Sequence, residues 1–237
     1  MARYLVTGAA GFIGARVSEF LMADGHQVLG VDDMNASYDV RMKDHRLEKL
    51  KANQVFEFHK LDIADKEAVF ALEGDFDAVF NLAARAGVRD SVADPWVYLE
   101  ANMLGTLNLL DLCRQRAIPK FILASTSSIY GDDAPLPTPE EADRSHPRQA
   151  YAATKEGAGA MCHAYHYLHG IDVTIVRYFT VYGPAGRPTC PCSALRAGSP
   201  RACPCRSTAT ASRPAASPTS TTSPAARSWP SRKSALR

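Results

Sequence analysis

The last 49 residues of the 237-residue chain contain no Ile, Val, Phe or Tyr and no Asp or Glu. Such a segment cannot bury enough apolar surface to offset the entropy of ordering it, so a folded core has to be encoded before residue 189. The same segment holds 8 of the 27 Lys and Arg, four of the six Cys and seven of the fifteen Pro. Residues 1–188 therefore carry 19 basic against 25 acidic side chains, a net of −6, although the whole chain sums to +2. The sequence predicts two parts: a folded domain over residues 1–188 and a basic Ser/Ala/Pro/Arg-rich, disordered tail over residues 189–237. No apolar run reaches the roughly 18 residues of a membrane helix, and Met1-Ala2-Arg3-Tyr4 does not lead into a signal-peptide core. A cytoplasmic protein without membrane contact is expected. Cys113 and Cys162 fall in helical stretches and read as free, buried thiols.

Before residue 189, short apolar runs alternate with helical periodicity. Tyr4-Leu5-Val6, Val28 to Val31, Val55 to Phe58, Ala78 to Leu82, Phe121 to Ala124 and Val173 to Phe179 read as strands. Phe12 to Met22, Lys66 to Leu72, a long stretch from Val97 to Arg116, and Tyr151 to His169 read as helices. This order predicts an α/β fold, a doubly wound parallel Rossmann-like sheet.

Where the first strand turns into the first helix, Gly8, Gly11 and Gly14 are spaced so that backbone can approach a pyrophosphate, with the helix N-terminus facing the phosphates. Asp32 ends the second strand 18 residues after Gly14. That is close to the roughly 20 expected of the acid that meets the adenosine ribose hydroxyls. Its charge would repel a 2′-phosphate, so NAD is favoured over NADP.

Tyr151 and Lys155 are four residues apart, one turn along the same helical face. An ammonium close to a phenol favours the phenolate and makes it a usable base near neutrality. Ser125, Thr126, Ser127 and Ser128 follow the fifth strand at the carboxyl edge of the sheet, where doubly wound folds bind ligands. A hydroxyl there could hydrogen-bond the same substrate oxygen as Tyr151.

The stretches Thr7 to Gly14, Asn81-Leu82-Ala83-Ala84, Ser125 to Gly131 and Tyr151 to Lys155 together resemble the extended short-chain dehydrogenase/reductases that act on nucleotide sugars. Asp32 to Val40, Ala83 to Arg89 and Phe179 to Pro188 are similar to the UDP-glucuronate 4-epimerase branch. The resemblance covers residues 1–188 and stops there. It implies that Tyr151 takes the proton of the sugar 4-hydroxyl, that Thr126 holds that oxygen with Ser127 beside it, and that Lys155 lowers the tyrosine pKa and binds the nicotinamide ribose. It further implies a bound NAD lined by Gly8, Gly11, Phe12, Ile13, Gly14, Asp32, Asp62, Ile63, Leu82, Ala83, Ala84, Asn102, Ser125, Tyr151 and Lys155. Thr180 and Arg187 would contact the substrate carboxylate, and the helices around 97–116 and 151–169 would pair two copies. Relatives that dehydrate their substrates place Asp-Glu directly after the active-site Thr. Ser127 and Ser128 stand there instead, which excludes a dehydratase. A decarboxylase of the same sugar acid, a different nucleotide-sugar epimerase and a non-catalytic NAD-binding module with a functional basic tail stay open as alternatives.

The resemblance also implies a small C-terminal substrate domain, which residues 189–237 do not provide. Regrouping the tail's codons one base earlier permits Asp-Met-Ser-Leu-Phe-Arg at 189–194, Tyr-Gly-Asp-Gly within 207–211 and Phe-Thr-Tyr-Val-Asp-Asp-Ile-Ala within 216–224. These are continuations typical of the epimerases. The expectation is a one-base frame change near Pro188 and a chain that is impaired or inactive as it stands. The Cys190-Pro191-Cys192 and Cys203-Pro204-Cys205 pairs have the wrong spacing for zinc, no metal site is expected, and the scattered arginines do not suggest nucleic-acid binding.

Overall fold

The apolar runs become six strands in the computed structural model, which describes residues 1–184 and residue 186. They are β1 (Arg3–Thr7), β2 (Gln27–Asp32), β3 (Phe56–Lys60), β4 (Ala78–Asn81), β5 (Lys120–Thr126) and β6 (Asp172–Tyr178). All neighbours are parallel and their order is β3-β2-β1-β4-β5-β6. The chain runs outward from β1 to β3, returns to lay β4 against the other side of β1, and continues outward to β6. The carboxyl ends of β1 and β4 therefore flank the point where strand order reverses, the place where such sheets bind ligands. There Thr7 is in register with Asn81.

Helices cover both faces, which is why the strands are apolar on both. Leu5 of β1 joins one core with Leu29, Val79, Leu109, Leu112, Phe121 and Leu123. Its neighbour Val6 points the other way, into a core with Val28, Leu47, Leu50 and Phe56. Each of these side chains contributes about 1.5–3 kcal/mol by leaving water. The helices are α1 (Phe12–Ala23), α2 (Arg41–Lys51), α3 (Lys66–Phe70), the short α4 (Asp90–Ala93) and α5 (Pro95–Tyr98), α6 (Gly105–Gln115) and α7 (Ala150–His169). No helix among the described residues is long and apolar enough to cross a membrane, and none of them cluster as metal ligands.

Three departures from expectation bear on the site. The helix expected over Val97 to Arg116 is interrupted by a π-helical turn, Leu99–Leu104, between α5 and α6. β5 runs through Ser125 and Thr126, which pair with Arg177 and Tyr178 of β6, so these two hydroxyls belong to the sheet and not to a loop after it. Helix α2 was not anticipated. Its buried stripe is Lys43, Arg46, Leu47 and Leu50, a helical i, i+3, i+4, i+7 pattern in which cations fill half of the inward positions. Arg187 and the tail from 189 to 237, with the expected boundary at 188, lie outside the described residues.

Candidate active site

The turn from β1 to α1 is held by backbone contacts that leave no room for side chains. Gly8 has φ +67° and lies against the backbone just past β4, where a Cβ would come within 2.8 Å of the Ala83 nitrogen. Gly14, in the first turn of α1, crosses so close that a Cβ would sit 2.0 Å from the Gly8 carbonyl oxygen. The Gly11 amide donates to that same oxygen at 2.9 Å. Phe12 and Ile13 begin the helix, whose N-cap Gly11 offers no side-chain acceptor and whose first turn has no acid. Its first amides and the positive end of its dipole are suited to an anion. From below, Arg46 steadies the turn by donating to Ala10 O at 3.1 Å and Tyr38 Oη at 3.0 Å.

Asp32 ends β2 and is buried. Its Oδ1 accepts from the Met34 amide at 2.9 Å and from Lys43 Nζ at 3.0 Å. Lys43, equally buried, also stands 3.6 Å from Asp33 Oδ1. Burial alone would push the Asp33 carboxyl up, but hydrogen bonds from Asn35 and the Lys43 charge hold it below the usual carboxylate value. Lys43 did not emerge from the sequence as a site residue. The signal was the inward cation on α2, visible only once that helix is recognised.

Asp62 is exposed and caps the Ala64 amide at 2.9 Å. Ile63 is a core residue whose side chain presses on α6 at Gly105, where a Cβ would meet it at 2.6 Å. Its carbonyl accepts from Asn108 Nδ2 at 2.9 Å.

A buried chain of hydrogen bonds links the glycine turn to α7. Thr7 Oγ1 donates to Asn81 Oδ1 at 2.9 Å and accepts from the amides of Leu82 and Ala83 at 3.1 and 3.0 Å. Asn81 Nδ2 donates to Thr106 Oγ1 at 2.9 Å, and Thr106 Oγ1 donates to the Asn102 carbonyl at 2.6 Å. The π-helical turn aims the Asn102 side chain across the end of β4. Its Oδ1 accepts from Arg85 N at 2.9 Å, and its Nδ2 donates to Arg85 O at 3.2 Å and to Thr154 Oγ1 at 3.1 Å. Thr154 Oγ1 donates to the Tyr151 carbonyl at 3.0 Å. Ala84, just past this crossing, is exposed. The sequence singled out Asn102 but not Thr7, Thr106 or Thr154, because isolated threonines carry no spacing signal.

Tyr151 and Lys155 start α7 on one face. Lys155 is 2% exposed, and its Nζ donates to the Ala124 carbonyl of β5 at 2.8 Å. Burial pulls its pKa down to about 8. Tyr151 is half-buried, edge to face with Tyr98 at 6.2 Å between ring centroids, and the Tyr98 hydroxyl is fixed on Gly87 O at 2.9 Å. Ser125 and Thr126 are buried at the end of β5. Thr126 Oγ1 accepts from the Ser128 amide at 3.2 Å, capping the short 3₁₀ turn that Ser127 opens. Thr180 lies exposed just past β6. The structure thus brings the glycine turn, Asp32, Asn102, Thr126, Tyr151 and Lys155 to the carboxyl edge of the sheet, while the Ile63 side chain is turned into the core.

Known proteins are similar to this chain in sequence and in fold. The model of the NAD dependent epimerase/dehydratase family matches residues 4–201. The chain is 51% identical over 190 residues to the UDP-glucuronate 4-epimerase of Thermodesulfobacterium geofontis, covering 79% of this chain and 58% of that protein. It is similar to the crystal structure of UDP-glucuronic acid 4-epimerase from Bacillus cereus in complex with UDP-glucuronic acid and NAD. There the TM-score is 0.76 and the identity 36%, over 81% of this chain and 61% of that one. Thermus thermophilus UDP-glucose 4-epimerase in complex with NAD is also similar, with a TM-score of 0.68 and 36% identity, over 78% of this chain and 58% of that one. The chain therefore spans less than two thirds of the length of these relatives.

Proposed function

Because the chain belongs to the NAD dependent epimerase/dehydratase family, we propose that residues 1–188 are the cofactor half of an NAD-dependent UDP-glucuronate 4-epimerase, which interconverts UDP-glucuronate and UDP-galacturonate through a 4-keto sugar. The residues fit a dinucleotide: a glycine cradle that a Cβ would fill, an uncapped helix start beside it, and an acid at the end of β2. When bound, NAD supplies a reversible hydride acceptor for C4 of the sugar.

Tyr151 takes the proton from the 4-hydroxyl and returns it to the same oxygen after the sugar has turned over. Thr126 donates a hydrogen bond to that oxygen. Lys155 serves as the nearby cation that favours the tyrosine phenolate. Thr180 and Arg187 receive the sugar carboxylate, for which a guanidinium fork is suited. The observation that most supports this reading is the Lys155 to Ala124 hydrogen bond, which ties the helix of the tyrosine and lysine to the strand that ends in Thr126. A reducing cytosolic setting suits the two free, buried cysteines among the described residues.

In this reading residues 1–188 hold NAD, and turnover of UDP-glucuronate needs a substrate-closing half that residues 189–237 do not encode. The experiment replaces residues 189–237 by the corresponding segment of the Thermodesulfobacterium geofontis enzyme and follows UDP-glucuronate by NMR. Formation of UDP-galacturonate, lost by about a hundredfold or more in Tyr151→Phe, is expected. A folded, NAD-binding chimera that makes no epimer overturns the reading, and carbon dioxide release would redirect it to decarboxylation.

A further inference from the structure

Lys43 stands where no expectation placed a cation. It reaches from α2 to the end of β2, with its side chain 5% exposed, its Nζ 3.0 Å from Asp32 Oδ1 and 3.6 Å from Asp33 Oδ1, and the Tyr38 ring 5.7 Å away. Asp32 occupies the position whose carboxylate meets the adenosine ribose hydroxyls in sheets of this kind. Read alone, that carboxylate is a wall against a 2′-phosphate. With Lys43 beside it, the corner carries a buried ion pair instead of a bare anion. Taking Asp32 from the pair leaves Lys43 buried with only the more distant Asp33, at 3.6 Å, as a counter-charge, a costly state that a further anion entering the corner relieves. Arg46, the next inward cation on α2, is committed to Ala10 O and Tyr38 Oη beneath the glycine turn.

We propose that Lys43 is a specificity-determining residue for the adenosine end of the dinucleotide. Paired with Asp32 it fixes the carboxylate for the ribose hydroxyls of NAD, and released from Asp32 it becomes the cation for a 2′-phosphate, with Asp33 as its remaining, more distant counter-charge. Discrimination against NADP is then a property of the Asp32–Lys43 pair and not of Asp32 alone. This inference rests on the NAD-binding reading above.

The test measures NAD and NADP binding to the 237-residue chain by ligand-observed NMR, with 5′-AMP and 2′,5′-ADP as fragment probes. The variants are Asp32→Asn, Lys43→Met and the two together, each checked for folding by circular dichroism. The unsubstituted chain should prefer NAD. Asp32→Asn should shift the NAD to NADP ratio towards NADP by about tenfold or more, and adding Lys43→Met should remove that gain. Lys43→Met alone, which leaves an unpaired carboxylate, should widen the preference for NAD. Equal ratios in Asp32→Asn and the double variant overturn the proposal. So does an Asp32→Asn chain with no gain for NADP, a result that stands even where the Lys43 variants do not fold. A chain that binds neither nucleotide overturns the cofactor reading and this inference with it, whereas NAD binding with a ratio that no variant moves overturns this inference alone.

Discussion

The Lys155 ammonium of α7 donates to the carbonyl oxygen of Ala124, the residue two before Thr126 on β5, at 2.8 Å. The lysine is 2% exposed, and desolvation pulls its pKa from the ordinary 10.5 to about 8. An unfolded lysine keeps its proton to about pH 10.5, whereas the folded one releases it above about pH 8. Between these values the unfolded chain binds more protons, so stability rises with pH. Below about pH 8 the buried charge costs roughly 3 kcal/mol. Urea denaturation of the parent and of Lys155→Met from pH 7 to pH 10 should show the parent gaining on the variant by most of that amount. Parallel curves would show that the ammonium is not desolvated in the folded chain.

The glycines of the turn predict a graded response to alanine. At Gly14 the new Cβ would be 2.0 Å from the Gly8 carbonyl oxygen, backbone against backbone, with no side chain able to give way. At Gly8 strain at φ +67° adds to a 2.8 Å approach to Ala83. Gly25 has φ +82° but nothing within 4 Å of its Cβ position, so only the conformational cost applies. Gly25→Ala should cost about 1–2 kcal/mol, and Gly14→Ala about 3 kcal/mol or more, as read from thermal or urea midpoints. Equal losses would mean that the turn can open to admit a methyl group.

The relay from Thr7 to Tyr151 predicts coupled losses. Thr154→Val removes the acceptor of one Asn102 N–H and the donor to the Tyr151 carbonyl, which should cost about 1–3 kcal/mol. Thr154→Ser keeps both bonds and should cost under about 1 kcal/mol. Thr7→Val strands the amide of Ala83 and the Oδ1 of Asn81, while the Leu82 amide keeps the Phe80 carbonyl at 3.1 Å, a loss at least as large. Because one connected network is broken at two ends, the double variant should cost less than the sum of the singles. Strict additivity would show two independent contacts.

What could be read in advance followed from what periodicity encodes. Strands such as Leu5-Val6 and Leu29 to Val31 are apolar on both faces because helices cover both, and that run is visible without a structure. Tyr151 and Lys155 were legible because four residues make one turn. Helix α2 was not, since Lys43 and Arg46 take inward positions that hydrophobic periodicity reserves for apolar groups. The π-helical turn at Leu99–Leu104 keeps the apolar spacing of a helix while re-aiming Asn102, so residue types alone do not reveal it. Ser125 and Thr126 looked like loop because they are polar. They are strand because β6 extends far enough to pair with them. At Ile63, expected beside the adenine, the side chain fills the gap that Gly105 leaves in the core, a packing role that its residue type alone does not reveal.

Cys113 of α6 and Cys162 of α7 are both fully buried, and burial pushes each thiol up to about 12. The thiolate is the reactive form, so at pH 8 only about one thiol in ten thousand would be ionised, and the folded packing also denies the reagent access. Alkylation at pH 8 followed by peptide mapping should leave both residues unmodified in the native chain and label both in urea. The Lys155 charge acts the other way on Cys162, favouring its thiolate, so Lys155→Met should not expose Cys162 to labelling unless α7 has moved. Native labelling of Cys162 but not Cys113 would show that α7 opens while α6 stays packed, and would place the tyrosine and lysine on a mobile helix.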